Sequence, residues 1–448
     1  MEVQTQAYRD VKEGKLERAF SEIAAVIPNE LTLDDLKERF LAITENSDEI
    51  TIIKEDQTSM IIELKVEDTV IPYEIFIVPS PEGVHYEQYY RQDHTIPEEV
   101  FELANQGHEI VVRTIFNGDV LSSFYLQLHL LWRLAPEMLF ALDISAAAKI
   151  ISRNYIQYHV ENNLLPDTQD LYVIHSIYGG ESEEPSQFWF HTHGLLRAGL
   201  TDVELIIPSS LSSYNGISDL FNTFVNNAIQ NGNVPVNEPI VIAQSKAGFI
   251  QVIAVPWEEG LAYIGKRSLP FDLADVETEE VRLQPIDAEV SFIGGMNDRD
   301  EHHQLPSCLL FEYNEEEGYM QCFTKQFTEN EEMMFYKTNE ETARIAYNAK
   351  QSFGYFAEIF NAEKENKEFH FIAKFGIPYD EEEFEHMWFD MQNINEDNIS
   401  GVLTNSPYYV TNMQEGNQYP LDFEHLTDWI IYAGEDMITP SNLYLFIG

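Results

Sequence analysis

The apolar positions of this chain change period several times along its length. In LTLDDLKERFLAITE, residues 31–45, Leu36, Phe40 and Leu41 share one face, which predicts a short amphipathic helix with Leu33 or Asp34 at its cap. Three β-rich runs follow, EITIIKED, SMIIELKVED and VIPYEIFIVP, and the acidic or polar turns between them predict an antiparallel meander. A helix from about Pro97 to Asn105, the strand EIVVRTIF and the apolar helix SSFYLQLHLLWRL complete an α+β domain over residues 1–160.

A second α+β unit, residues 161–280, opens with the loop LPDTQD and the strand LYVIHSIY, then the acidic loop GGESEEPSQ. Its segment ISDLFNTFVNNAIQNG repeats apolar residues at helical spacing and has Gly232 where a helix stop belongs; IVIAQS and GFIQVIAVPW read as strands. The remainder, 281–448, starts with a hairpin around Asn314–Gly318, in which Tyr313 faces Tyr319. Thr338 to Glu341 has the form of a capping box, and Thr342, Ala346, Ala349, Phe353, Phe356 and Phe360 then form an apolar stripe that reads as core. The strands FHFIAKFGI, EHMWFDM, ISGVLTN, YYVTNM and TDWIIY follow, predicting a strongly bent sheet or small barrel packed on that helix. The fold class expected is multi-domain α+β, with mixed or antiparallel sheets and packed helices.

The 448 residues suit two or three domains, and 44% hydrophobic with 12% aromatic residues suits a folded chain. Charge is what departs from the ordinary. Only 26 Lys and Arg face 77 Asp and Glu, a formal net charge of −51. Such a surface repels phosphate backbones and anionic membranes, so neither nucleic acid nor membrane is expected as a partner; a basic protein is. Solubility alone is the plainer account of the same charge. The N-terminus lacks the apolar segment of a signal peptide, and the most apolar long stretch, 128–148, contains Arg133, Pro136, Glu137 and Asp143, which argues for a cytoplasmic protein. Cys308 and Cys322 are the only cysteines, too few for a disulfide framework or a thiolate zinc site, and the hairpin register predicts two free thiols.

From the Thr342 helix through FIAKF, EHMWFDM, SGVLTNSPYYV, MQEGN and LTDWII, roughly Asn339–Tyr432, the chain resembles a small bacterial domain of unknown function found alone and fused to other modules. Upstream, FWFHTHGLLRAGLTDVEL and NDRDEHHQLPSCLLFEY are similar to blocks of a larger, uncharacterised family of acidic multi-domain bacterial proteins. The resemblance implies a bacterial multi-domain α+β chain. It implies no reaction.

Three constellations carry chemistry. On a strand His191 and His193 face the same side and can meet one ion. After a seven-residue gap come Thr201 and, two residues further, Glu204, a spacing that resembles the JAMM metalloprotease motif with Thr for Ser and Glu for Asp. Gly194 stands where that motif has Pro, and its catalytic Glu has no counterpart except Glu183 and Glu184 in a loop. The metal candidates are therefore His191, His193 and Glu204; the alternative is a structural role, with one histidine bonded to backbone or Asp202. A second cluster, Asp298, Arg299, Glu301 and His302, reads as a solvated loop, but if it meets Arg197, Thr201 and Asp202 in space it makes a polar site between domains. Third, the acid run Asp380–Glu383 with Glu385 precedes Trp388, and Tyr408, Tyr409 and Trp429 are candidate anchors of an interaction surface. No phosphate-binding Gly-rich loop and no serine-hydrolase elbow occurs. The leading expectation is a non-enzymatic acidic protein that binds another protein and carries no cofactor. The alternative is a hydrolase with a divalent metal at His191 and His193.

Overall fold

A computed structural model describes residues 2–44, 50–55, 59–66, 69–179, 187–208, 216–246, 248–260, 306–314, 318–321, 323, 333–380, 383–395 and 398–447. Their strands form three sheets, from residues 20–152, 173–335 and 369–438. The fold class is the expected one, mixed α+β with mostly antiparallel sheets.

In the first sheet the meander Ile50–Glu55, Ser59–Val66 and Thr69–Pro79 continues through His108–Ile115 to Phe20–Ile27, then Phe140–Asp143 and Lys149–Ser152, every neighbour antiparallel. The strand Phe20–Ile27 was not evident as an element because it is buried on both faces and therefore lacks alternation. Ile23, Ala25 and Ile27 pack beneath the helix Val120–Leu134, while Ala24 and Val26 meet Tyr86, Phe101 and Ala104 on the other side. Gln127, a buried polar residue in that helix, is fully used: its amide donates to the carbonyls of Ser21 and Val112, and its oxygen accepts from the Ser21 hydroxyl. The early helix spans Leu33–Thr44 and is capped one residue before the expected position: Thr32 Oγ1 accepts from the Asp35 N–H, and Asp35 answers by accepting from Thr32.

The second sheet runs Met334–Phe335, Ile240–Ser245, Gly248–Pro256, Ser307–Asn314, Asp202–Pro208, Gln187–His193, Val173–Gly179, and only the pair Asp202–Pro208 with Ser307–Asn314 is parallel. The strand Ser307–Asn314, expected with the segment 281–448, thus sits in the middle of this sheet. Its hairpin partner Tyr319–Gln321 pairs Asn314 with Tyr319 and Tyr313 with Met320, one residue out of the expected register. Cys308 is a free, fully buried thiol 3.6 Å from Thr201 Oγ1; Cys322 lies outside the described residues.

The third sheet, in the order Gln418–Leu421, Asn398–Leu403, Phe384–Asn395, Phe369–Pro378, Leu426–Ala433, Asp436–Ile438, curls into a half-barrel around the helix Asn339–Glu363. Register shifts at Met391/Asn393 and Lys374/Phe375 supply local bends, as β-bulges do. The capping residue is Thr338, as expected. The buried face differs. Ala349, Phe353, Phe356 and Phe360 do meet the sheet, but Thr342 is exposed, and Glu341, Arg344, Asn348 and Ser352 are buried in its place. Polar residues near the start of the helix pack on the segment after Leu164: Asn348 exchanges two hydrogen bonds with the Leu165 backbone, and Arg344 pairs with Asp167.

A buried ion pair joins the first two sheets. Both terminal guanidinium nitrogens of Arg197 donate to Asp143, at 2.8 and 2.7 Å, with both side chains fully buried; Arg197 also donates to the Leu171 carbonyl and lies 4.8 Å over the Phe124 ring. Removing one partner leaves an uncompensated buried charge. Arg197→Met is therefore expected to destabilise by about 3–5 kcal/mol, and Arg197→Met with Asp143→Leu to recover most of that, as read from urea midpoints of the full chain. Equal loss in the single and double variants would contradict this role.

Candidate functional site

The strands Val173–Gly179 and Gln187–His193 pair antiparallel with His175 opposite His191 and Val173 opposite His193. That register puts His175, His191 and His193 on one face. Their rings lie 5.6, 5.1 and 4.9 Å apart centre to centre, and one ligand nitrogen from each falls within 4.8 Å of the others. His191 is buried against the Trp189 ring at 4.3 Å, while His175 and His193 are half-buried.

The three histidines line a cleft of about 740 Å³ between the first two sheets. Phe20, Tyr89, Ile144, Ala147 and Ala148 form the opposite wall. Ala147 and Ala148 both have positive φ, 53° and 58°, a conformation that costs an alanine about 1–2 kcal/mol, so the tight turn holding that wall is strained. Gly194 follows His193 at φ 122°, and a Cβ there would stand 2.5 Å from the Leu171 carbonyl oxygen. Only glycine allows the chain to turn so close to that backbone, which is why no proline stands after the second histidine.

Of the residues singled out in the sequence, His191 and His193 do converge. Glu204 lies opposite His191 in the next strand, but its carboxylate accepts from Trp189 Nε1 at 2.8 Å and Ser307 Oγ at 2.5 Å, and it is not in the cluster of ligand atoms. Its place as third candidate is taken by His175, which spacing alone missed because the seven residues between the two strands leave their register open. Thr201 is buried against Cys308, and Arg197, which pairs with Asp143, also lines the histidine cleft. Asp298, Arg299, Glu301 and His302 lie outside the described residues, as do Glu183 and Glu184.

Asp202 also lines the cleft, accepting from the Thr192 hydroxyl at 3.0 Å and the Leu195 N–H at 3.3 Å. Burial nevertheless pushes its carboxyl up to about 7. On the third sheet, Trp429 is not an anchor: it is fully buried, its indole N–H shared between the Ala349 carbonyl and the Ser352 hydroxyl. The run YYVTNM is a loop rather than a strand, because the N–H groups of Tyr408, Tyr409 and Val410 donate to the Glu385 carboxylate at 2.6, 2.8 and 2.8 Å. That leaves Tyr408 83% and Tyr409 56% exposed, with Tyr409 stacked on Tyr379, while Trp388 is half-buried. Glu381 and Glu382 lie outside the described residues.

Fold and cleft together define a multi-domain α+β protein with three histidines gathered between two of its sheets. Residues 21–166 match the family model described as the N-terminal part of a protein of unknown function (DUF4026), and residues 174–311 match the C-terminal part. Residues 339–440 match an uncharacterised protein conserved in bacteria (DUF2314), so the chain combines domains of uncharacterised bacterial families. No curated protein and no solved structure matches it. Among the described residues no helix is long and apolar enough to cross a membrane.

Asp202 generates a pH prediction. Its pKa in the fold is above the ordinary carboxylate value of 3.8, so its protonated form is the one the fold favours. The associated stability is full below about pH 4 and is lost as pH rises through about 7. Asp202→Asn should flatten that part of the curve, so the difference in unfolding free energy between variant and wild type should grow in the variant's favour from pH 5 to pH 8, as followed by urea titration. A difference that is constant with pH would contradict the shift.

Proposed function

We propose that this protein binds a divalent transition-metal ion through His175, His191 and His193 and uses it to activate water in the cleft, as a metal-dependent hydrolase. The observation that carries the reading is the convergence of three imidazoles on one cleft. Imidazole donors without a carboxylate suit zinc, copper or nickel rather than magnesium or calcium. Three protein ligands leave a fourth position for water, which is the arrangement of catalytic zinc; structural zinc is usually closed by four protein ligands. A zinc ion held by these three histidines would supply Lewis-acid activation of water at neutral pH. The surrounding chain contributes shape: Gly194 admits the close turn, Trp189 packs on His191, and the Arg197–Asp143 pair holds the two cleft walls together. The net charge of −51 raises the local concentration of cations.

Protein purified without chelator should hold about one such ion per chain by elemental analysis, lost in His175→Ala, His191→Ala and His193→Ala and kept in Glu204→Gln. Hydrolysis of p-nitrophenyl acetate by the zinc-loaded chain should stop on chelation, return with zinc and be absent in His175→Ala. Retention of metal by His175→Ala with loss in Glu204→Gln would restore the ligand set suggested by spacing and reject this one. Stable metal with no hydrolysis would leave a binding protein.

A second reading rests on a different observation. The exposed Tyr408 and Tyr409, held by Glu385 beside Tyr379 on a strongly acidic chain, support docking of a basic protein partner. Partner capture from a lysate should then be strong at low salt, fall at high salt and weaken in Tyr408→Ala with Tyr409→Ala. Capture that ignores both salt and the tyrosines rejects it.

A further inference from the structure

The histidine cleft exposes large apolar side chains on both of its walls. Opposite the histidines, Phe20 is 51%, Ile144 39% and Tyr89 37% exposed; beside them Ile177, two residues after His175 and so on the same face of the strand, is 38% exposed. All four line the cleft, so each is within reach of a molecule that enters it. Large apolar side chains left in water at one concave surface, rather than scattered singly, mark a place where something covers them.

The aromatic part of this surface is anchored from behind. Arg113, itself paired with Glu22 and Glu74, lies 4.8 Å over the Phe20 ring, and Tyr89 packs edge-on against the buried Tyr86 at 6.1 Å. The Ser145 hydroxyl accepts from the Glu22 N–H at 2.9 Å and donates to the Phe20 carbonyl at 3.2 Å. That ties the Phe20 strand to the turn carrying Ile144 and the strained Ala147 and Ala148. Both rings are therefore held in place while more than a third of each residue stays open, which lowers the ordering cost of binding against them.

Charge decides what the surface rejects. Among the described residues lining the cleft, Arg197 is the only Lys or Arg and both its terminal nitrogens are committed to Asp143, while Asp202 is the only acid. An anionic group brought here would lose its water beside a carboxylate and meet no free guanidinium or ammonium. A flat apolar group loses little on leaving water and gains edge or stacking contacts with Phe20 and Tyr89. The cleft volume of about 740 Å³ has room for such a group as well as for a bond held at the histidines.

We infer that Phe20, Tyr89, Ile144 and Ile177 form the specificity subsite of the histidine cleft and take an uncharged, ring-bearing apolar group of the substrate. The inference rests on the hydrolase reading for the reaction, while the binding itself needs no metal. Its test is a saturation-transfer NMR titration of the full chain stripped of metal with EDTA, at about pH 8, where free imidazole is neutral. The probes are benzamide, its anionic counterpart benzoate, and acetamide, which keeps the amide and lacks the ring. Benzamide should bind saturably, with benzoate and acetamide each weaker by roughly tenfold or more, and Phe20→Ala and Tyr89→Ala should each weaken benzamide by a similar factor. Absence of metal or of hydrolysis in the untreated protein does not alter this measurement, and absence of benzamide binding leaves the metal analysis standing, so the two readings fail separately. No saturable binding of benzamide, benzoate or acetamide binding as tightly as benzamide, or benzamide affinity unchanged in both variants would overturn the inference.

Discussion

The buried pair of Arg197 with Asp143 is the contact on which the rest of the molecule depends. It joins the turn after the histidine strand to the last residue of a strand in the first sheet, and its second donation reaches Leu171. Two charges withdrawn from water cost several kcal/mol each unless their geometry is matched, so such a pair fixes relative position more than it adds stability. Here it fixes one sheet against another. The histidine cleft is the space left between them, with one wall strained at Ala147 and Ala148 and the other turned at Gly194.

The segment 164–172 is the second organising element. It follows the last helix of the first unit and leads into the first strand of the second, and it receives the C-terminal helix through Arg344 and Asn348. Tyr158 and Tyr155 reinforce the junction, the first donating to the Pro440 carbonyl and the second meeting Tyr444 edge to face.

Much of the fold was legible in the chain because it rests on local pattern. The meander over 50–79, the helix Ile217–Asn231 with Gly232 after it, the Thr338 cap and the curled C-terminal sheet follow from alternation, helical spacing and turn chemistry acting over a few residues. Where pattern failed, burial had removed it or polar contacts had replaced it. Phe20–Ile27 shows no alternation because both its faces are covered, and the start of the C-terminal helix buries Arg344 and Asn348 where apolar Thr342 and Ala346 positions were expected. Trp429 has the composition of an exposed anchor and the position of a core residue.

The sequence by itself determined the acidity, the element types and the shared face of His191 and His193, since each follows from composition or from periods of two and 3.6 residues. Tertiary structure alone decided the third histidine, because a cross-strand partner depends on register across a long loop; Glu204 was likewise diverted by Trp189 and Ser307, which lie 15 and 103 residues away in the chain. Contacts at such separations leave no local trace. They arise only when sheets built from distant segments are pressed together, and that is where the histidine cleft of this protein is formed.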